Sequence, residues 1–150
     1  MYQRILVPVE NSDYDPVILN HVRKLARHCN ASIVLIHVAD GWAARNAKPL
    51  QLRESEEMKQ DRAYIEGIAD TLEKEGFQVD ALLAGGDPGD EIAAAAEREK
   101  CDLIAMGTHG HRGIADLIHG SVAHTVRHIS MVPVLMVRGT HTPAGSRPKI

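Results

Sequence analysis

The stretch Met106-Gly-Thr-His-Gly-His-Arg-Gly-Ile-Ala-Asp-Leu-Ile-His-Gly-Ser-Val122 decides how this chain is interpreted. It follows the short apolar run Cys101-Asp-Leu-Ile-Ala105 and leads into a helical pattern. Gly107, Gly110 and Gly120 allow backbone N–H groups to approach a ligand closely, and a helix start adds unpaired N–H groups with a positive dipole end. The stretch predicts a strand, a phosphate-binding loop and a helix, in that order.

Apolar runs and helical patterns alternate along the rest of the chain. The predicted strands are at 4–9, 32–39, 77–83, 102–106 and 133–137. The predicted helices are at about 13–29, about 52–75, from the Asp87-Pro88 cap through 92–96, and about 121–130. Such alternation is typical of an α/β domain, with a parallel sheet that has helices on both faces.

Length, charge and cysteine usage restrict the class of protein. The 150 residues are enough for one domain, and the net charge of −3 argues against non-specific nucleic-acid binding. No run reaches membrane-spanning length, so we expect no membrane segment. Cys29 and Cys101 form no CxxC pair, which favours a reduced cytoplasmic protein. Residues 139–150 are rich in Gly, Pro, Ser and Thr and are expected to form a disordered tail.

The predicted topology indicates where a ligand should bind. Open parallel sheets bind ligands outside the carboxyl ends of their strands, where the strand order reverses. Three stretches should lie at those ends: 8–11, 38–40 and 106–110.

The glycine stretch differs from two well-known phosphate-binding patterns. No Gly-Lys-Ser/Thr occurs in the sequence, so a Walker A loop is excluded, and the spacing of the glycines does not fit G-x-G-x-x-G after a first strand. Taken alone, the glycines also fit a surface loop in which they serve turns.

Two separated motifs carry a resemblance to a known family. The spacing Gly107-x2-Gly110-x9-Gly120-Ser121 resembles the ATP-binding signature of the universal stress protein family. The run Ile5-Leu-Val-Pro-Val-Glu-Asn-Ser12 resembles that family's opening, usually Val-Pro/Ala-x-Asp-Gly-Ser, with Glu10 and Asn11 in place of its Asp and Gly. The resemblance extends over nearly the whole chain, and we interpret 1–138 as one such domain.

The resemblance implies a Rossmann-like, open five-stranded parallel sheet with the order 3-2-1-4-5. It also implies binding of ATP, or of AMP or ADP, together with Mg²⁺, and a homodimer formed through the last strand, 133–137. No nucleic-acid or membrane partner is expected.

The site residues that the resemblance implies fall into two groups. Those near the base and ribose are Pro8, Val9, Glu10, Val38, Met106 and Gly107. Those around the phosphates are Gly110, Gly120, Ser121 and Val122. Apart from the resemblance, His109, His111 and Arg112 of the glycine stretch are candidates for donors to a polyphosphate or for solvent-exposed side chains.

Other polar residues leave alternatives open. His124 and His128 are four residues apart on the last predicted helix, a spacing that can hold a metal ion, although no HExxH pattern accompanies them. Asp13, Asp15 and Asp40 are candidates for helping to hold Mg²⁺ or for capping helices and turns. Ser121 is interpreted as a phosphate ligand rather than a nucleophile.

Three functions follow from these observations. The first is a nucleotide-responsive stress or regulatory module that binds adenine nucleotides, with at most slow hydrolysis. The second is a slow nucleotide hydrolase or phosphotransferase that uses Ser121 or a loop histidine. The third is an interaction protein whose loop binds no ligand.

Overall fold

A computed structural model describes residues 1–39, 56–109 and 114–139. Strands and helices alternate along the chain, as the sequence pattern predicts. The strands are β1 Arg4–Pro8, β2 Ser32–Ala39, β3 Val79–Gly85, β4 Leu103–His109 and β5 Val134–Gly139. The helices are α1 Asp15–Cys29, α2 Glu56–Lys74, α3 Pro88–Arg98 and α4 Ile114–Ile129. In the described ranges no helix is both long enough and apolar enough to cross a bilayer.

The strands form one parallel sheet in the order β3-β2-β1-β4-β5, which confirms the predicted fold. β1 lies at its centre, paired with β2 from Arg4–Ser32 to Pro8–Ile36. β3 and β5 form the two edges. The central strands are buried on both faces, which explains why they are continuous apolar runs in the sequence.

Alternate side chains of β1 enter two separate cores. Ile5 and Val7 pack on the face covered by α1 and α2, whereas Leu6 packs on the face covered by α3 and α4. The helices contribute their apolar stripes to these cores: Ile18, Leu19, Val22 and Ala26 from α1; Ile65, Ile68, Ala69 and Leu72 from α2; Ile92, Ala95 and Ala96 from α3; and Ala123 and Val126 from α4.

Two predicted helix boundaries match the structure. Asn30 follows α1 in the left-handed conformation, with φ of 55°, and its N–H donates to the Ala26 carbonyl. The Asp87 carboxylate accepts a hydrogen bond from the Asp90 N–H, and Pro88 is the first residue of α3. Polar caps and a proline are local signals, so these boundaries can be predicted without tertiary information.

The last helix begins earlier than the sequence suggested. We predicted it over 121–130, but α4 begins at Ile114. The residues Ile114-Ala-Asp-Leu-Ile118 include good helix formers and no proline, so the helix extends through Gly120 despite the entropic cost of glycine. Gly120 and Ser121 are therefore inside α4, where helical hydrogen bonding uses the backbone N–H groups, and not in its first turn.

The last two strands also extend further than predicted. β4 continues through Gly107 and Thr108 to His109, so Gly107 lies within a strand and not in a loop. β5 includes Gly139, the first residue of the predicted tail; the rest of that tail, 140–150, lies outside the described residues.

An ionic cluster holds the amino ends of three strands, β1, β3 and β4, together. The Arg4 guanidinium donates to Asp80 Oδ2 at 2.9 Å and to the Glu99 carbonyl at 2.8 Å. The Asp102 carboxylate accepts the N–H groups of Gln3 and Arg4. Beside this cluster lies the thiol of Cys101, which is 4% exposed. These polar contacts lie at the end of the sheet opposite the expected ligand site.

The buried thiol gives a test of this end of the core. Burial raises the pKa of Cys101 from 9.0 to about 11, because the folded protein disfavours the thiolate. A raised pKa contributes its stability fully below about pH 9 and loses it as pH approaches 11. We expect this thiol alone to lower the free energy of unfolding by about 1 kcal/mol between pH 8 and pH 10.

Urea unfolding of Cys101→Ala at the two pH values should lack that part of the decrease, and Cys29→Ala is the matched control for loss of a thiol. An equal pH dependence in wild type and Cys101→Ala would contradict the assignment.

Candidate functional site

The strand order reverses between β1 and β4, and the two strands separate toward their carboxyl ends. They are paired at Ile5–Leu103 and Leu6–Ile104, whereas β2 stays beside β1 as far as Pro8. Val9 and Glu10 follow β1 on one side of the opening, and the last residues of β4 lie on the other side. This is the position at which open parallel sheets bind ligands.

A single carboxylate organises the loop that follows β1. Asp15, the first residue of α1, is 3% exposed. Its Oδ1 accepts the N–H of Glu10 at 3.0 Å, and its Oδ2 accepts the N–H groups of Asn11 at 2.9 Å and Ser12 at 3.2 Å. Asn11 is left-handed, with φ of 62°, which lets successive N–H groups converge on one acceptor. The Asp15 carboxylate thus satisfies three backbone donors of the preceding loop.

Tyr64 of α2 completes the environment of this carboxylate. Its hydroxyl donates to Asp15 Oδ2 at 2.6 Å. Burial, and then the hydrogen bond to Asp15, raise the pKa of the Tyr64 phenol well above its usual value, so the hydroxyl keeps the proton that it donates. Of the two roles that we considered for Asp15, this geometry favours the structural one over Mg²⁺ binding, because both of its oxygens already accept hydrogen bonds.

A second polar contact joins α2 to the end of β1. The Nδ1 atom of His37, on β2, lies 2.8 Å from the Val9 carbonyl oxygen, and its Nε2 lies 3.3 Å from Asp61 Oδ2 on α2. A carbonyl oxygen only accepts, so Nδ1 is the donor in its contact with Val9. Asp61 and Tyr64 are three residues apart on α2 and therefore lie on neighbouring positions of its surface.

A turn role was one of the two roles predicted for Asp15, but its contact with Tyr64 and the contacts of His37 were not predicted from the sequence. Asp15 gave a local signal, since an acidic residue that begins a helix after Asn-Ser is a common turn acceptor. Tyr64 gave none, because it is 49 residues away from Asp15 along the chain.

The predicted base and ribose residues lie at the ends of β1, β2 and β4, but their side chains have different surroundings. Val9 is buried in the core under α1 and α2, and Met106 is buried in the core under α3 and α4. Pro8, Glu10 and Val38 are half-buried. At Gly107 a Cβ atom would lie 3.5 Å from Ile18 Cβ, an ordinary contact, so the missing side chain leaves space toward α1.

The predicted phosphate residues are described only in part. Gly110, His111 and Arg112 lie outside the described residues. His109 ends β4, and Gly120 and Ser121 belong to α4. Val122 packs against the core under α3 and α4, so its side chain is structural.

The histidine pair of α4 is on the protein surface. The rings of His124 and His128 are stacked, with centroids 6.2 Å apart and planes 9° apart, and both residues are exposed. In the part of the chain that the structure describes, no group of three or more His, Cys, Asp or Glu side chains could hold a metal ion. Asp40, another candidate, lies outside the described residues.

Tyr14 connects the β1 loop to the far side of the opening. It precedes α1, and its ring packs against Gly139 at the end of β5. A Cβ atom at Gly139 would lie 2.9 Å from Tyr14 Cδ1 and 3.4 Å from the Thr108 carbonyl oxygen. Glycine is needed here for close approach of an aromatic ring to the backbone.

Comparison with known proteins agrees with this architecture. The model of the universal stress protein family matches residues 1–138. The chain belongs to this family. It is 31% identical to universal stress protein MJ0577 of Methanocaldococcus jannaschii, over 92% of this chain and 96% of that protein. It is 26% identical to universal stress protein YxiE of Bacillus subtilis, over 92% of this chain and all of that protein.

Solved structures of the family share the fold. The structure of MJ0577 superposes with a TM-score of 0.78 at 29% identity, covering 95% of this chain and 99% of that one. A universal stress protein from Archaeoglobus fulgidus, solved in complex with dAMP, gives a TM-score of 0.67 at 22% identity, over 90% of this chain and 97% of that one. Another universal stress protein was solved in complex with cAMP and gives a TM-score of 0.66 at 22% identity, over 91% and 97% of the two chains.

The Tyr14–Gly139 contact can be tested by adding one methyl group. Gly139→Ala should lower the free energy of unfolding by about 1–2 kcal/mol, because the tyrosine ring must move. Gly67→Ala is the matched control, since nothing lies within 4 Å of the added atom on α2. It should raise stability by roughly 0.5–1 kcal/mol, as alanine favours a helix. Equal effects of the two substitutions in urea unfolding would show that the ring does not restrict position 139.

Proposed function

We propose that this universal stress protein binds ATP or another adenine nucleotide, with Mg²⁺, between the carboxyl ends of β1 and β4. In this proposal it acts in the cytoplasm as a nucleotide-responsive stress or regulatory module, with at most slow hydrolysis. The observation that carries the proposal is positional. The opening motif and the start of the glycine signature, distant in sequence, lie at the ends of the two strands where the sheet order reverses. The complexes of family members with cAMP and dAMP support an adenine nucleotide as the ligand class.

The nucleoside is assigned to the side of β1. Glu10 is half-exposed, and its carboxylate accepts a hydrogen bond from the Ser12 hydroxyl at 3.3 Å. A carboxylate here suits donors, such as ribose hydroxyl groups or the amino group of adenine. Val38, half-buried at the end of β2, is assigned to the edge of the base.

The phosphates are assigned to the stretch 107–121. Gly120 and Ser121 lie inside α4, so their backbone N–H groups are not free to bind a phosphate. We propose instead that Gly120 allows the phosphates to approach the helix closely and that Ser121 contributes its hydroxyl. The backbone donors come instead from the first turn of α4, which begins at Ile114, and from Gly110. Arg112 and the loop histidines supply positive charge or additional donors.

Binding is tested by calorimetry with ATP and Mg²⁺ on the purified chain. We expect a dissociation constant below the high-micromolar range. If no binding is detected up to high-micromolar concentrations of ATP, the proposal is overturned. Gly110→Val and Gly120→Val should each abolish binding by filling the space next to the phosphates. Gly67→Val, on an exposed part of α2, is the control for the same substitution and should bind as wild type does.

We also propose a homodimer through the edge strand β5. β5 forms one edge of the sheet, and an edge strand presents unpaired backbone groups that favour pairing with another chain. Apolar side chains around it are exposed: Met136 is 40% exposed, and Met131 and Ile129 lie nearby in sequence with exposures of 85% and 44%.

The dimer is tested by light scattering at micromolar concentration. Wild type should have the mass of two chains. Met136→Lys should shift the mass toward one chain, because burying a lysine in an apolar interface is costly. Ala81→Lys, an exposed position on the other edge strand, should leave the dimer intact. A monomeric wild type would exclude the β5 interface.

A further inference from the structure

The loop from Glu10 to Ser12 has the geometry of an anion-binding nest, but the protein supplies the anion itself. Three successive N–H groups converge on the Asp15 carboxylate at 2.9–3.2 Å. A left-handed residue between ordinary ones is the conformation by which backbone N–H groups surround phosphates in other sites. Here the concavity is filled by a carboxylate that is 3% exposed.

This internal anion determines what the β1 side of the site can accept. The three N–H donors are used, so none of them is available to a phosphate. The buried carboxylate and that of Glu10 place two acidic groups on or next to the same short loop. Like charges disfavour a phosphate here, whereas neutral donors such as hydroxyl or amino groups are favoured.

Tyr64 holds the carboxylate in this orientation. Its hydroxyl and the N–H groups of Asn11 and Ser12 all donate to Oδ2 of Asp15. The hydroxyl comes from α2, on a different element from the loop, so the orientation of the loop depends on the docking of α2. The contact between Asp61 and His37, whose other ring nitrogen meets the Val9 carbonyl, joins the same helix to the residue before the loop.

We propose that Asp15 and Tyr64 are positioning residues for the nucleoside. They keep the backbone donors of Glu10–Ser12 directed inward, and so make this loop a site for hydroxyl and amino donors instead of an anion site. The inference rests on the proposed nucleotide binding and assigns specificity to two residues that need not touch the ligand.

The test uses Tyr64→Phe in the full-length chain, because phenylalanine keeps the ring and removes only the hydroxyl. Affinities for adenosine and for ATP with Mg²⁺ are measured by ligand-observed NMR and calorimetry. We expect both to fall about tenfold, by the same factor, because the lost hydrogen bond acts at the nucleoside that the two ligands share. Tyr2→Phe is the matched control; Tyr2 packs against the same core at the amino end of β1. It should bind both ligands as wild type does.

Asp15→Asn provides a second variant of the same shape. Its amide NH₂ would face N–H donors and would turn part of the loop outward, so the loss of adenosine affinity should be at least as large as in Tyr64→Phe. Melting temperatures identify any variant that is unfolded under the assay conditions, and Tyr64→Phe remains decisive if Asp15→Asn does not fold.

The possible results separate the two proposals. If wild type and Tyr2→Phe bind neither ligand, nucleotide binding itself is wrong, and this inference falls with it. If wild type binds but folded Tyr64→Phe keeps full adenosine affinity, the two residues serve stability alone, and the positioning role is overturned. A loss for ATP without a loss for adenosine would place the effect at the phosphates and would also contradict it.

Discussion

The structure depends on the burial of β1 on both faces at the centre of the sheet. Ile5 and Val7 contribute to one core and Leu6 to the other, and all three are fully buried. Every helix packs on a core that this strand helps to form. The chain leads from β1 through α1 to β2 on one side, whereas β4, reached from β3, pairs with β1 on the other side. The carboxyl end of β1 is therefore also where the strand order reverses. The same constraint therefore stabilises the domain and creates the opening at which we propose that the nucleotide binds.

Polar contacts have different roles at the two ends of the sheet. At the amino end, Arg4 donates a hydrogen bond to Asp80 of β3, and Asp102, directly before β4, accepts the N–H of Arg4. At the carboxyl end, Asp15 and His37 bind loop atoms and are themselves contacted by side chains of α2. The loop that carries Glu10 is consequently held by a helix that follows it by more than forty residues. Its shape depends on packing between elements as well as on its own sequence.

The parts of the molecule that could be predicted are those with local signals. Continuous apolar runs identified the buried strands, and Asn30, Asp87 and Pro88 marked helix ends. The early start of α4 was missed because the glycine at position 120 suggested a boundary, whereas favourable residues on both sides continue the helix through it. The Tyr64–Asp15 and His37–Asp61 contacts could not be predicted, because each joins residues of different elements whose spacing carries no periodic pattern.

The sequence by itself determined the fold class and predicted where a ligand binds, since both inferences follow from periodicity, glycine spacing and the order of elements. The tertiary structure decided which backbone donors are available. It places Gly120 and Ser121 inside a helix and directs the N–H groups of Glu10, Asn11 and Ser12 toward an internal carboxylate. The reason is physical: each backbone N–H has one hydrogen to donate, and only the folded structure shows which acceptor it is bonded to.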